Sequence, residues 1–133
     1  MLRAMVHITK NKFMTNEEFN ESFRLRTKKF ALDIIRFLEE IPFTTATKVL
    51  THQLGKAGTS VGANFRAFCR ARSKNERYSK ICIVVEEADE SIYWLELFDE
   101  ANYGSKEKVS DLLNEGLELL KVMASIKHSM NLY

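Results

Sequence analysis

Gly58, Thr59, Ser60, Val61 and Gly62 spell G-x-S-x-G, the pattern that in many hydrolases presents a nucleophilic serine on a sharp strand-to-helix turn. Such a serine needs a histidine base oriented by a carboxylate, and the chain offers only His7, His52 and His128, scattered along its length. Gly55-Lys56 looks like the close of a phosphate loop, but the position five before Gly55 is Leu50 rather than glycine. A di-iron bundle site would need Glu-x-x-His pairs, and no histidine here has a glutamate three residues before it. Glu86 and Glu90, one helical turn apart within Glu86, Glu87, Asp89 and Glu90, can hold a hard cation or can form a solvated face. Cys69 and Cys82 lack C-x-x-C spacing and read as packing thiols of a reducing compartment. No catalytic residue, metal, cofactor or small-molecule substrate is assigned, and the expectation is a protein that is not an enzyme.

Electrostatics offers a second kind of chemistry. The formal net charge is only +2, yet Arg66, Arg70, Arg72, Lys74, Arg77 and Lys80 face a single acid, Glu76. Beyond them run Glu86, Glu87, Asp89, Glu90, Glu96, Asp99 and Glu100 without one intervening lysine or arginine. The basic group can take nucleic-acid phosphates, with Phe65, Phe68 or Tyr78 for base stacking if they are exposed. Equally, it can pair with the acidic flank of a neighbouring subunit.

Four helices must position these residues. Thr15-Asn16-Glu17-Glu18 is a capping box, and Phe19, Phe23, Phe30, Ile34, Phe37, Leu38 and Ile41 then recur at helical spacing. Pro42 ends that helix near Glu40. Thr44 or Thr45 caps the second helix, whose stripe is Ala46, Leu50, Leu54, Ala57, Val61, Phe65 and Phe68. Ser73 to Glu76 repeats the capping box before Ile81, Val84, Val85, Ala88, Ile92 and Leu95, and Gly104 is expected to end this third helix. Ser105 caps the fourth, with Val109, Leu112, Leu113, Gly116, Leu117, Leu120, Met123 and Met130 facing inward. Short connections force consecutive helices to fold back, which predicts an all-α, up-down-up-down antiparallel, left-handed four-helix bundle with short loops. Residues 15–133 form that single domain, and residues 1–14 are expected to be a disordered tail.

On this scaffold Ser60 sits in mid-helix. Gly55, Gly58, Ser60, Gly62 and Asn64 then belong to a helix-packing seam, in which the cost of each helical glycine, up to about 1 kcal/mol relative to alanine, is offset by close approach of another helix. Ligand contact at this seam is the alternative. The third helix carries apolar residues nearly all round, Cys82, Ile83, Tyr93, Trp94, Leu97 and Phe98 lying off its main face. Tyr93, Trp94 and Leu97 are therefore expected at a subunit interface.

With 133 residues, 45% of them hydrophobic, and a single proline, the chain is long enough for one well-packed core. Its longest apolar run, Ile81 to Val85, is far short of the roughly 20 residues that cross a bilayer. No secretory signal is recognisable at the N-terminus, so no membrane association and a cytoplasmic location are expected.

The run Ala57 to Phe98, AGTSVGANFRAFCRARSKNERYSKICIVVEEADESIYWLELF, closely resembles the bacterial four-helix bundle proteins first noticed as open reading frames in 23S ribosomal RNA intervening sequences. S-x-G-A-N at Ser60 to Asn64 and A-R-S-K-x-E at Ala71 to Glu76 carry the resemblance, which extends through helix 1 from Met14. It implies a homo-oligomeric ring, typically a homopentamer, with no established enzymatic activity and RNA as the candidate partner. Many members read GAN-x-A-E, whereas here Arg66, Ala67 and Phe68 follow Phe65, so no glutamate role transfers and the extra arginine favours an anionic partner. Residues 1 to 13 lie outside the resemblance, in keeping with a tail or with translation from Met14.

The expectation is thus a non-enzymatic oligomeric bundle whose basic rim, Arg66, Arg70, Arg72, Lys74, Arg77 and Lys80, binds RNA or another nucleic acid. The alternative is a scaffold for protein partners whose segregated charges serve assembly.

Overall fold

Thr15 opens the first helix through a reciprocal pair of hydrogen bonds. Its hydroxyl accepts from the Glu18 N–H at 3.0 Å, and the Glu18 carboxylate accepts from the Thr15 N–H at 3.1 Å. The computed structural model describes residues 14–130 and shows four helices, α1 (Asn16–Glu39), α2 (Thr45–Cys69), α3 (Lys74–Glu100) and α4 (Lys106–Met130). The predicted tail falls almost wholly outside the described residues, and Met14 packs against the core. Thr44 caps α2 and Ser73 caps α3.

Each helix lies beside its sequence neighbours, and α1 also lies beside α4, whereas the diagonal pairs α1–α3 and α2–α4 make no close backbone approach and meet only through core side chains such as Phe37 and Phe98. That is the antiparallel up-down-up-down bundle the periodicity predicts. Its core holds aromatic pairs toward both ends, with Phe23 edge-on to Phe65 at 6.5 Å and Phe37 edge-on to Phe98 at 5.3 Å. Each fully buried phenylalanine contributes about 2–3 kcal/mol by leaving water. The α1–α4 seam is the more open one, bridged by the ion pairs Arg26–Glu115 and Lys108–Glu40.

Several sequence expectations shift by a residue. In α2 Thr47, not Ala46, is buried, because its hydroxyl closes the cap by donating to the Pro42 carbonyl at 2.7 Å. In α3 Phe98, expected off the main face, joins Val84 in the core, and Val85 lies at its edge. In α4 Leu119, Val122 and Ile126 are buried while Leu117 is exposed, since the stripe turns gradually across a long helix. The second predicted capping box is half formed. Ser73 accepts from the Glu76 N–H, but the Glu76 carboxylate takes the Arg72 N–H instead.

The end of α3 also differs from expectation. Ala101 is the C-cap and Asn102 adopts φ 61°, placing the left-handed residue two positions before Gly104. The Asn102 N–H bonds to the Asp99 carbonyl at 3.2 Å and the Tyr103 N–H to Phe98 at 2.9 Å, which together make a Schellman motif. Its usual apolar clasp is present as Tyr103 edge-on to Phe98. Gly104 is needed one step later. There φ is +78° and a Cβ would lie 2.6 Å from the Phe37 ring.

Candidate nucleic-acid interface

The glycines of α2 lie along α1. A Cβ on Gly55 would sit 3.2 Å from Leu38 Cδ1, one on Gly58 would overlap Ile34 Cδ1, and one on Gly62 would meet the Thr27 backbone oxygen at 3.2 Å. Within the same stretch the polar side chains bond to their own helix. Ser60 Oγ donates to the Lys56 carbonyl at 2.7 Å, Thr59 Oγ1 to Gly55 at 2.7 Å, and Asn64 Nδ2 to Ser60 at 2.9 Å. Ser60 therefore lies inside a continuous helix and not on the strand-to-helix turn of a nucleophile elbow. His52 and His128 are both exposed, and His7 is outside the described residues.

This close approach sets two rows of cations beside each other. Arg66 of α2 and its C-cap residue Arg70 line one groove with Arg24 and Lys28 of α1, over a floor of Ala31, Thr59, Gly62 and Ala63. The groove encloses about 420 Å³, and its single carboxylate, Glu21, is held by Arg24. Arg24 and Lys28 were not among the residues singled out from sequence. The signal that reveals them is antiparallel packing, which lays the first half of α1, with its basic run Arg24 to Lys29, against the second half of α2.

The remaining predicted cations disperse. Arg77 places its guanidinium 5.8 Å from the centre of the Phe68 ring. Lys74 lines a different groove, between α3 and α4, with Tyr78, Cys82, Glu86 and Met130. Arg72 is exposed and Lys80 half-buried. Among the described residues, no carboxylate lies within ion-pair distance of Lys28, Arg66, Arg70, Arg72, Arg77 or Lys80. Cys69 sits beside this positive region. Burial pushes its thiol above the ordinary value, although Arg24, Arg77 and Arg70 pull it back.

One expectation about aromatic residues changes. Phe65 and Phe68 are core residues, 0% and 2% exposed, so neither can stack on a base. The breadth of α3 is mostly absorbed inside the monomer, because α3 packs on both α2 and α4; Trp94 and Leu97 are half-buried and only Tyr93 of the three is exposed. Exposed aliphatic side chains lie on α1, at Leu25, Leu32 and Ile35, and singly at Val49 of α2 and Leu117 of α4.

On acidic α3, the Trp94 indole N–H donates to Glu90 at 3.2 Å and Asp99 pairs with Lys106 at 3.1 Å. Among the described residues, no three histidine, cysteine or carboxylate side chains come together as a metal site. Nor is any described helix long and apolar enough to cross a membrane.

Set against known proteins, residues 22–125 match the family model described as 23S rRNA-intervening sequence protein. A crystal structure of a protein with unknown function from the S23 ribosomal protein family of Bacteroides thetaiotaomicron VPI-5482 is similar in fold and sequence. It superposes with a TM-score of 0.73 at 29% identity, covering 82% of this chain and 97% of that one. No functionally curated protein matches the chain.

Proposed function

The chain belongs to the 23S rRNA-intervening sequence protein family, and from that premise we propose a non-enzymatic, homo-oligomeric bundle that binds RNA through the cationic surface at the α2–α3 end. One observation carries the reading. Arg66, Arg70, Arg72, Arg77 and Lys80 cluster within residues 66–80 with no carboxylate partner among the described residues, whereas Arg24, Arg26, Lys29, Arg36, Lys106 and Lys108 are all in ion pairs and the other unpaired lysines of the described residues, Lys28, Lys48, Lys56, Lys121 and Lys127, are spread over α1, α2 and α4. Concentrated positive charge left unneutralised by its own fold attracts a polyanion, and counterion release makes phosphate the natural partner.

Fluorescence anisotropy of a labelled structured RNA, titrated with protein of known oligomeric state at several salt concentrations, tests this. Binding that weakens linearly on a log–log plot, with a slope of about −0.7 to −0.9 per phosphate contacted, is the expected result. No binding at low salt would overturn it.

A second reading rests on a different observation. Leu25, Leu32 and Ile35 share the outer side of α1 with 41% or more of each exposed, an apolar stripe suited to a subunit or protein partner. A scaffold of this kind predicts that Arg70→Glu with Arg72→Glu breaks the oligomer. RNA binding predicts that the oligomer survives and RNA affinity falls.

A further inference from the structure

Resting on the RNA-binding reading, we propose that the α1–α2 groove is a phosphate track that takes the backbone of double-stranded nucleic acid and reads no bases. Arg24 and Lys28 are one turn apart on α1, and Arg66 of α2 and its C-cap residue Arg70 are one turn apart at the end of that helix. Each pair is spaced by about 6 Å along its helix, close to the step between successive phosphates of a strand. Gly62, against the Thr27 backbone, lets the two helices approach, so the two rows flank one shallow trough rather than standing on separate ridges.

The lining decides which polyanion fits. Glu21, the one carboxylate of the lining, pairs with Arg24, which leaves Lys28, Arg66 and Arg70 as three unneutralised cations along the groove. Apart from these, the described lining is Leu25, Ala31, Thr59, Gly62 and Ala63, with no aromatic ring among them. Single strands gain much of their affinity by stacking bases on aromatic side chains, at about 1–3 kcal/mol per base, and this trough has no such platform. A duplex needs none, since its phosphates point outward, its bases are inside, and its charge density is higher. With contacts only to phosphate, the site positions a backbone and does not discriminate sequence, nor RNA from DNA.

Anisotropy with a short RNA duplex, a DNA duplex of the same sequence and a uridine single strand of equal length tests this across a salt series. The wild type should bind both duplexes alike and the single strand more weakly. Lys28→Glu with Arg66→Glu should weaken duplex binding at least about tenfold at low salt and flatten the salt slope by about 2. Ala63→Glu, at an exposed floor position where helix tolerates the change, should act in the same direction while leaving the thermal midpoint nearly unchanged.

Arg72→Glu with Arg77→Glu, on the same cationic surface but outside the groove lining, should weaken duplex binding clearly less than Lys28→Glu with Arg66→Glu does. If the wild type binds but the groove variants bind equally well while the Arg72/Arg77 variant loses the greater part of the affinity, the groove assignment is overturned while the RNA-binding reading stands. Preference for the single strand would overturn the duplex assignment alone. Absence of binding by any of the three probes at low salt would overturn both.

Discussion

Arg26 of α1 and Glu115 of α4 meet side-on across the open seam, Nε to Oε2 at 2.8 Å and Nη2 to Oε1 at 2.7 Å. The guanidinium also lies 5.3 Å from the centre of the Phe23 ring, so one face is packed while its edge is paired. The hydrogen bond to Glu115 outweighs burial and holds Arg26 more firmly protonated than an ordinary arginine. This contact joins helices far apart in sequence where the bundle is least tightly packed.

Truncating Glu115 to alanine should therefore destabilise the fold by about 1–2 kcal/mol, more than a typical surface pair, because two-point geometry is already set and both side chains are only about 30% exposed. A double-mutant cycle with Arg26→Ala, read from urea midpoints, should give a coupling near 1 kcal/mol. A coupling near zero would mean that solvent screens the pair despite its geometry.

Gly58→Ala should destabilise the protein by about 1–3 kcal/mol even though alanine is the better helix former, since its methyl overlaps Ile34 Cδ1 in the core. Ile34→Val removes that atom. The double variant should recover most of the loss in chemical denaturation, and a failure to recover would place the strain elsewhere.

Gly104→Ala should cost about 2 kcal/mol or more, combining a left-handed backbone with a Cβ driven into the Phe37 ring. Asn102→Gly, at φ 61° with its backbone already in the Schellman motif, should by contrast be neutral or stabilising by less than about 1 kcal/mol. Thermal midpoints of the two variants should move in different directions or by clearly different amounts.

Glu87 gives a pH dependence. Burial first, then Glu90 and Glu86, push its carboxyl above the usual carboxylate range, with Lys56 opposing. The folded state then holds this proton more tightly than the unfolded chain, so stability falls as pH rises from the unfolded value of about 4.3 through the raised folded value. Glu87→Gln should raise the thermal midpoint at pH 7, and the gap should narrow toward pH 4. A gap independent of pH would assign the effect to packing rather than ionisation.

Much of the bundle was legible locally. Threonine and serine caps, Pro42 and the 3.6-residue stripes act over a few residues, so Thr15, Thr44 and Ser73 mark helix starts without reference to the rest of the chain. Helix rotation was less legible. Whether Leu117 or Leu119 turns inward depends on which neighbours α4 packs against, and an apolar residue has the same hydropathy on either face. The end of α3 was misplaced because glycine is the commonest left-handed residue, and only the crowding of Phe37 shows that Gly104 serves a later turn.

The candidate site divides in the same way. Its charge was written in the composition of α2 and α3, since side-chain type alone places Arg66 and Arg70 near a stretch with few acids. Its shape was not. Arg24 and Lys28 join those arginines because antiparallel helices bring distant segments together, and Gly62 against Thr27 determines how near they come. Packing likewise withdrew Phe65 and Phe68 from any contact with bases. Local propensity follows from a residue and its immediate neighbours, whereas a groove exists only where two surfaces from different parts of the chain meet.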